Sequence, residues 1–148
     1  MIVFATTDPA RLQPAPIRPE WILEGAPLAR SAELSRSPDG TAMTALWDCT
    51  AGAFNWFFAG DETVHIVEGE VIVEDEAGVR TLRPGDVALF PAGTWARWTV
   101  PRYVRKVAFC RDPLPRPVLK LVQLVRAAKR RLKRQPAPSG PLGLPQEA

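Results

Sequence analysis

Short runs of β-branched and aromatic residues, separated by turn signals, fill the middle of the chain. Thr41-Ala-Met-Thr-Ala-Leu-Trp47, Phe54-Asn-Trp-Phe-Phe58, Thr63-Val-His-Ile-Val67 and Glu70-Val-Ile-Val-Glu74 come first. Residues 79–82, 87–90, 96–100 and 104–110 continue the series. Pro38-Asp-Gly40, Gly60-Asp61, Ala77-Gly78, Pro84-Gly85 and Pro91-Ala-Gly93 punctuate it. Many short strands at near-regular spacing predict an all-β, antiparallel sandwich or barrel. The pattern changes at Val118-Leu-Lys-Leu-Val-Gln-Leu-Val-Arg-Ala-Ala-Lys-Arg-Arg-Leu-Lys-Arg134, where apolar residues recur every three or four positions. That is the period of one helical face, and 17 residues of helix would span about 25 Å. Pro113, Pro115 and Pro117 separate it from what precedes, and Pro136 ends it.

Proline and charge divide the chain in the same way. Of 16 prolines only Pro84, Pro91 and Pro101 fall between residues 39 and 110. The net charge of +3 hides an acidic first part, residues 1–117 with 12 Lys/Arg against 15 Asp/Glu. Residues 118–134 carry seven basic side chains and no acid. The expected organisation is an N-terminal arm (1–38), a β-barrel (39–112), a proline linker with a basic amphipathic helix (113–134) and a flexible tail (135–148). The arm, with Trp21-Ile-Leu23 set among prolines, is expected along a sheet edge or across a dimer interface.

Two cysteines cannot staple a domain of 148 residues, which excludes a disulfide framework. No uncharged stretch is long enough for a membrane-spanning helix, and the first residues lack the basic-then-apolar pattern of a secretory signal. A soluble, cytoplasmic protein is the expectation.

Two motifs carry a resemblance. Glu62-Thr-Val-His-Ile-Val-Glu-Gly69 is similar to the end of the first cupin motif, and Gly85-Asp-Val-Ala-Leu-Phe-Pro-Ala-Gly93 to the opening of the second. With Asp61, Pro84, Trp98, Arg105 and Lys106, the text over residues 40–112 resembles the (S)-ureidoglycine aminohydrolase or ethanolamine-utilisation type of small cupin domain. The resemblance implies a single cupin jelly-roll barrel, often homodimeric, and a homodimer is expected. It also implies where a metal would be held. The positions of the three ligand histidines and the late asparagine carry Trp56, Phe58, Ala96 and Val100, so that Glu62 alone remains of the set. One carboxylate among indole and phenyl rings cannot supply three or four donors, and neither a metal nor another cofactor is expected.

Strand parity sorts the remaining candidates. Trp56 and Phe58 share the ligand-histidine positions and are expected to face inward with Glu62, as are Ala96 and Trp98. Lys106 is placed inward chiefly by the resemblance. These six residues form the expected ligand pocket, with Glu62 and Lys106 as candidate catalytic or anchoring groups. His65, the one histidine, lies on the opposite parity from Glu62 and is a weaker candidate general base; the bland reading is a hydrogen-bonded outer residue. Cys49 and Cys110 read as buried, inert thiols. Two functions follow. One is a metal-independent cupin that binds, or binds and transforms, a small polar metabolite. The other is a non-catalytic binding or assembly module whose basic helix contacts a subunit, anionic lipid or nucleic acid.

Overall fold

The structure, a computed structural model, describes residues 1–133. It contains two compact units, one from Met1 to Pro113 and a second that begins at Leu114. The flexible tail expected at 135–148 lies outside the described residues.

The first unit is an antiparallel sheet curled on itself, built on two long strands. Strands β1 (Gln13–Pro14), β2 (Ile22–Gly25) and β3 (Ala29–Arg36) precede the long β4 (Ala42–Phe58). Then come β5 (Asp61–Gly69), β6 (Val71–Asp75), β7 (Gly78–Leu82), β8 (Val87–Phe90) and the second long strand, β9 (Thr94–Arg111). β4 and β9 pair along their whole lengths, from Ala42↔Arg111 to Phe58↔Thr94. One half of this ribbon carries β3 and β1 on one side, and β5 and β8 on the other. The other half carries β2 on one side, and β6 and β7 on the other. Both halves turn the same face inward, which makes the jelly-roll half-barrel.

Each long strand replaces two shorter ones expected from the sequence. The ladder jumps register between Thr50 and Gly52, opposite Val100 to Tyr103, and Pro101 falls inside that jump. A proline there costs no ladder hydrogen bond, and the irregularity bends the ribbon so that it serves both halves. Two turns behave as their residues require. At Arg83-Pro-Gly-Asp86 the Asp86 amide donates to the Arg83 carbonyl at 2.9 Å, and Gly85 takes a φ of 96°. Gly69, at φ 70°, turns β5 into β6 where a β-carbon would collide with the Tyr103 carbonyl oxygen.

The main core lies on the inner face, where Trp47, Phe54, Phe58, Val64, Ile66, Val71, Phe90, Trp98 and Val104 are buried. The N-terminal arm adds Ile17 and Ala29 to this core. The same arm covers part of the outer face, where Leu12 joins Leu46 and Val107 in a smaller cluster.

The second unit contains helix α1 (Arg116–Lys133). Among the described residues, no helix is long and apolar enough to cross a membrane.

Candidate functional site

The inner face brings one acid and one base together. Glu62, at the start of β5, pairs across the sheet with Cys110 and Phe90. Lys106, four residues back along β9, pairs with Trp47 on β4 and Ile66 on β5. Lys106 Nζ donates to Glu62 Oε1 at 2.5 Å, the ammonium side chain 6% and the carboxylate side chain 15% exposed. Burial of both charges is tolerable only because each answers the other. Indole faces supply the rest of the cation's surroundings: Nζ lies 4.6 Å from the Trp98 ring centre and 4.9 Å from that of Trp47.

Around the pair the aromatic side chains form a continuous network. Trp98 contacts Trp47, Phe54 and Phe90 at centroid distances of 6.0, 6.4 and 5.5 Å. Phe58 stacks on Phe90 at 4.4 Å. Trp56 is half-buried at the edge, held between Trp47 and the arm residue Trp21 at 6.2 and 5.5 Å. Among the described residues the buried Trp98 Nε1 has no hydrogen-bond partner, an orphan donor in an otherwise apolar wall.

A cleft of about 550 Å³ opens on the same face. Val73, Leu82, Phe90 and Ala96 form its floor, and Asp75, Glu76, Arg80 and Trp95 stand at its rim. Glu62, Lys106 and Trp98 do not line it. Trp98 packs against the cleft residue Phe90, so the six residues read from the sequence as one pocket divide into a packed wall and, through Ala96, the cleft floor. A groove of about 650 Å³ along Thr63, Leu89 and Phe109 likewise takes no lining from the pair.

Each candidate can now be placed. Phe58, Ala96 and Trp98 are buried, Trp56 is half-buried, and all four share the inner face with Glu62 and Lys106. His65 is not brought to them. It pairs with Val107 and Val87, and the register irregularity of β5 falls after it, between Ile66 and Glu68. Cys49 and Cys110 are free thiols, pushed up by burial to about 12 and about 11. Such values disfavour the thiolate of either residue near neutral pH.

The donor set does not fit the metal implied by the resemblance. Trp56, Phe58 and Ala96 present indole, phenyl and methyl groups beside Glu62. Among the described residues no three His, Cys, Asp or Glu side chains gather as a metal site would require.

Three features escaped the sequence reading. Trp47 forms half of the cation's aromatic cradle; parity counted from Trp56 puts it on the other face, and the register jump between Thr50 and Gly52 brings it inside. Trp21 reaches the cluster from the arm, against Trp56 and Trp95, and no local signal announces that contact. Asp48, 1% exposed on the outer face, accepts hydrogen bonds from Arg30 Nε at 3.0 Å and the Tyr103 hydroxyl at 2.8 Å. Burial, and then the bond to Asp48, hold the Tyr103 phenol above its ordinary range.

With this geometry in place, the comparisons identify the fold. Residues 36–108 match the EutQ-like cupin domain. Over those residues the chain is a cupin domain. Solved cupins resemble it at the level of the fold. A protein of unknown function of the DUF861 family from Pseudomonas syringae is 27% identical with a TM-score of 0.62, covering 67% of this chain and 43% of its own. A putative ethanolamine utilization protein from Salmonella typhimurium is 23% identical with a TM-score of 0.52, over 57% of this cupin and 70% of that protein. The Clostridium difficile EutQ protein is 15% identical with a TM-score of 0.53, over 59% and 64% of the two chains. The cupin thus spans less than half the length of the Pseudomonas protein. No curated protein matches it.

Proposed function

We propose that this cupin binds a small polar metabolite on the inner face of its half-barrel, without a metal, using Glu62, Lys106 and Trp98 as polar anchors. The observation that carries the reading is the orphan Trp98 Nε1 beside a buried ion pair. An apolar core gains nothing from either. Buried pairs seldom outperform apolar packing, and an unanswered N–H carries a desolvation cost. A ligand admitted into this packed wall from its Glu62 end would answer both: an acceptor for the indole N–H and the ammonium, and donors for the carboxylate. Ureides, amides and small carboxylates have such groups. Glu62 is the more exposed end of the pair and so the natural point of approach. If the ligand is transformed, Glu62 is the acid/base and Lys106 the anchor for developing negative charge. The aminohydrolase chemistry suggested by the resemblance depends on metal donors that Trp56, Phe58 and Ala96 do not supply.

Tryptophan fluorescence tests this directly, since four of the five tryptophans lie in or against the cluster. A screen of ureides, small carboxylates and sugars is expected to yield a saturable quench with a rise in melting temperature, lost in Glu62→Gln. No response from the wild-type protein across the screen would overturn the reading.

A cytoplasmic homodimer belongs to the same reading, supported by two free thiols and by exposed Val87, Leu89 and Phe109 on the outer face. A second reading, a non-catalytic binding or assembly module, is favoured by the apolar face of α1. There Leu121 and Leu124 are 62% and 68% exposed.

A further inference from the structure

Helix α1 has two faces of opposite character. At 3.6 residues per turn, Pro117, Val118, Leu121, Leu124, Val125 and Ala128 fall within an arc of about 120°. The larger members of this arc are exposed, Val118 and Val125 by 43% and 46% and the two leucines by more. Lys120 and Arg131 stand at one edge of the arc; at the other Lys129 stands beside the half-buried Val122, with Arg126 further round. Arg116, Gln123 and Arg130 occupy the opposite side, where Leu119 is the sole large apolar residue. The helix holds seven basic residues and no acid.

We infer that α1 lies flat on an anionic lipid surface, its apolar arc among the acyl chains and its cationic edges at the level of the phosphates. This takes up the second reading above and commits its helix to one partner. The arrangement of the charges argues for lipid over the other occupants. Cations on both shoulders of an apolar arc match a headgroup layer on either side of a shallow groove, with the aliphatic stems reaching upward. Pairing of the arc with that of a second copy would set two sevenfold-charged helices side by side with no acid to offset them. Nucleic acid would engage the charges and leave the leucines in water, and no aromatic residue of α1 is available to stack on bases. The length and charge of the helix suit lying on a bilayer and not crossing it.

The test is co-sedimentation of the full chain with phosphatidylglycerol vesicles and with phosphatidylcholine vesicles. Expected are binding to the anionic vesicles at least tenfold tighter than to the neutral ones, and a loss of at least tenfold at 0.5 M salt. The double variant Leu121→Glu/Leu124→Glu and the triple variant Arg126→Gln/Lys129→Gln/Arg130→Gln should each lose tenfold or more. Tryptophan melting of both variants checks that the cupin fold is intact, since α1 has no tryptophan. Equal binding to both vesicle types, no binding at low salt, or full retention by the leucine variant would overturn the proposal. So would tighter binding to an oligonucleotide that the leucine variant preserves. Concentration-dependent self-association that the leucine variant abolishes, with no vesicle binding, would overturn the lipid surface yet leave the assembly reading standing.

Discussion

A lysine in the middle of an aromatic core is the most consequential residue of this cupin. Lys106 is 5% exposed, and its charge rests on Glu62 and on two indole faces. Removing the acid alone leaves an uncompensated buried cation. Glu62→Leu is expected to cost about 3–5 kcal/mol of folding stability. The double variant Glu62→Leu/Lys106→Met should recover most of that loss and equal or exceed the wild type, because apolar side chains pack without a desolvation cost. Urea unfolding followed by tryptophan fluorescence measures the cycle, and additive losses would show that the pair carries no coupling. Parity put Glu62, Trp56, Phe58, Ala96 and Trp98 on one face, but it treated the two parities of β9 alike. Only the register, Lys106 opposite Trp47 and Ile66, decides that the lysine and not Arg105 is enclosed.

At the scale of elements, the turns were legible and the strand lengths were not. Gly40, Gly69, Gly85 and Gly93, each a turn signal in the sequence, all take positive φ. They differ in what surrounds them. Gly40 has open space where a β-carbon would go, whereas Gly69 faces the Tyr103 carbonyl. Gly40→Ala should therefore cost only the backbone penalty of about 1–2 kcal/mol. Gly69→Ala should cost clearly more, because the carbonyl belongs to β9 and cannot step aside. Equal melting temperatures for the two variants would contradict this. The joining of 41–47 to 54–58, and of 96–100 to 104–110, could not be read locally. Gly52 and Pro101 look like strand breakers, and they are tolerated because each falls at the shared bend of a two-strand ribbon.

Over the whole molecule, charge is segregated between the two units, and carboxylates tie the acidic one together at a turn and along its strands. Hydrogen bonds from the Ser37 hydroxyl, and from the Thr41 amide and hydroxyl, hold Asp39 down at about 2. Arg111, with the Ala92 amide, lowers Asp61, and Arg36 lowers Glu33. Folded values below the unfolded ones mean a contribution that is complete above about pH 4 and lost as pH falls toward 2. The urea midpoint is expected to drop over that window, and less steeply in Asp39→Asn; an unchanged slope in that variant would exclude the turn as a contributor.

The sequence by itself determined the class of the fold, the turns and the inward parity of most of the pocket residues. It also determined the two faces of α1. Each of these follows from residue type and short-range period, which the backbone geometry imposes wherever the strand or helix ends up. The tertiary structure alone decided that Lys106 meets Glu62 and that Trp21 and Trp47 complete the aromatic wall. It also decided that the pair stays out of the cleft lining. Those outcomes depend on register between strands that are tens of residues apart, and a shift of one residue would have reversed every one of them.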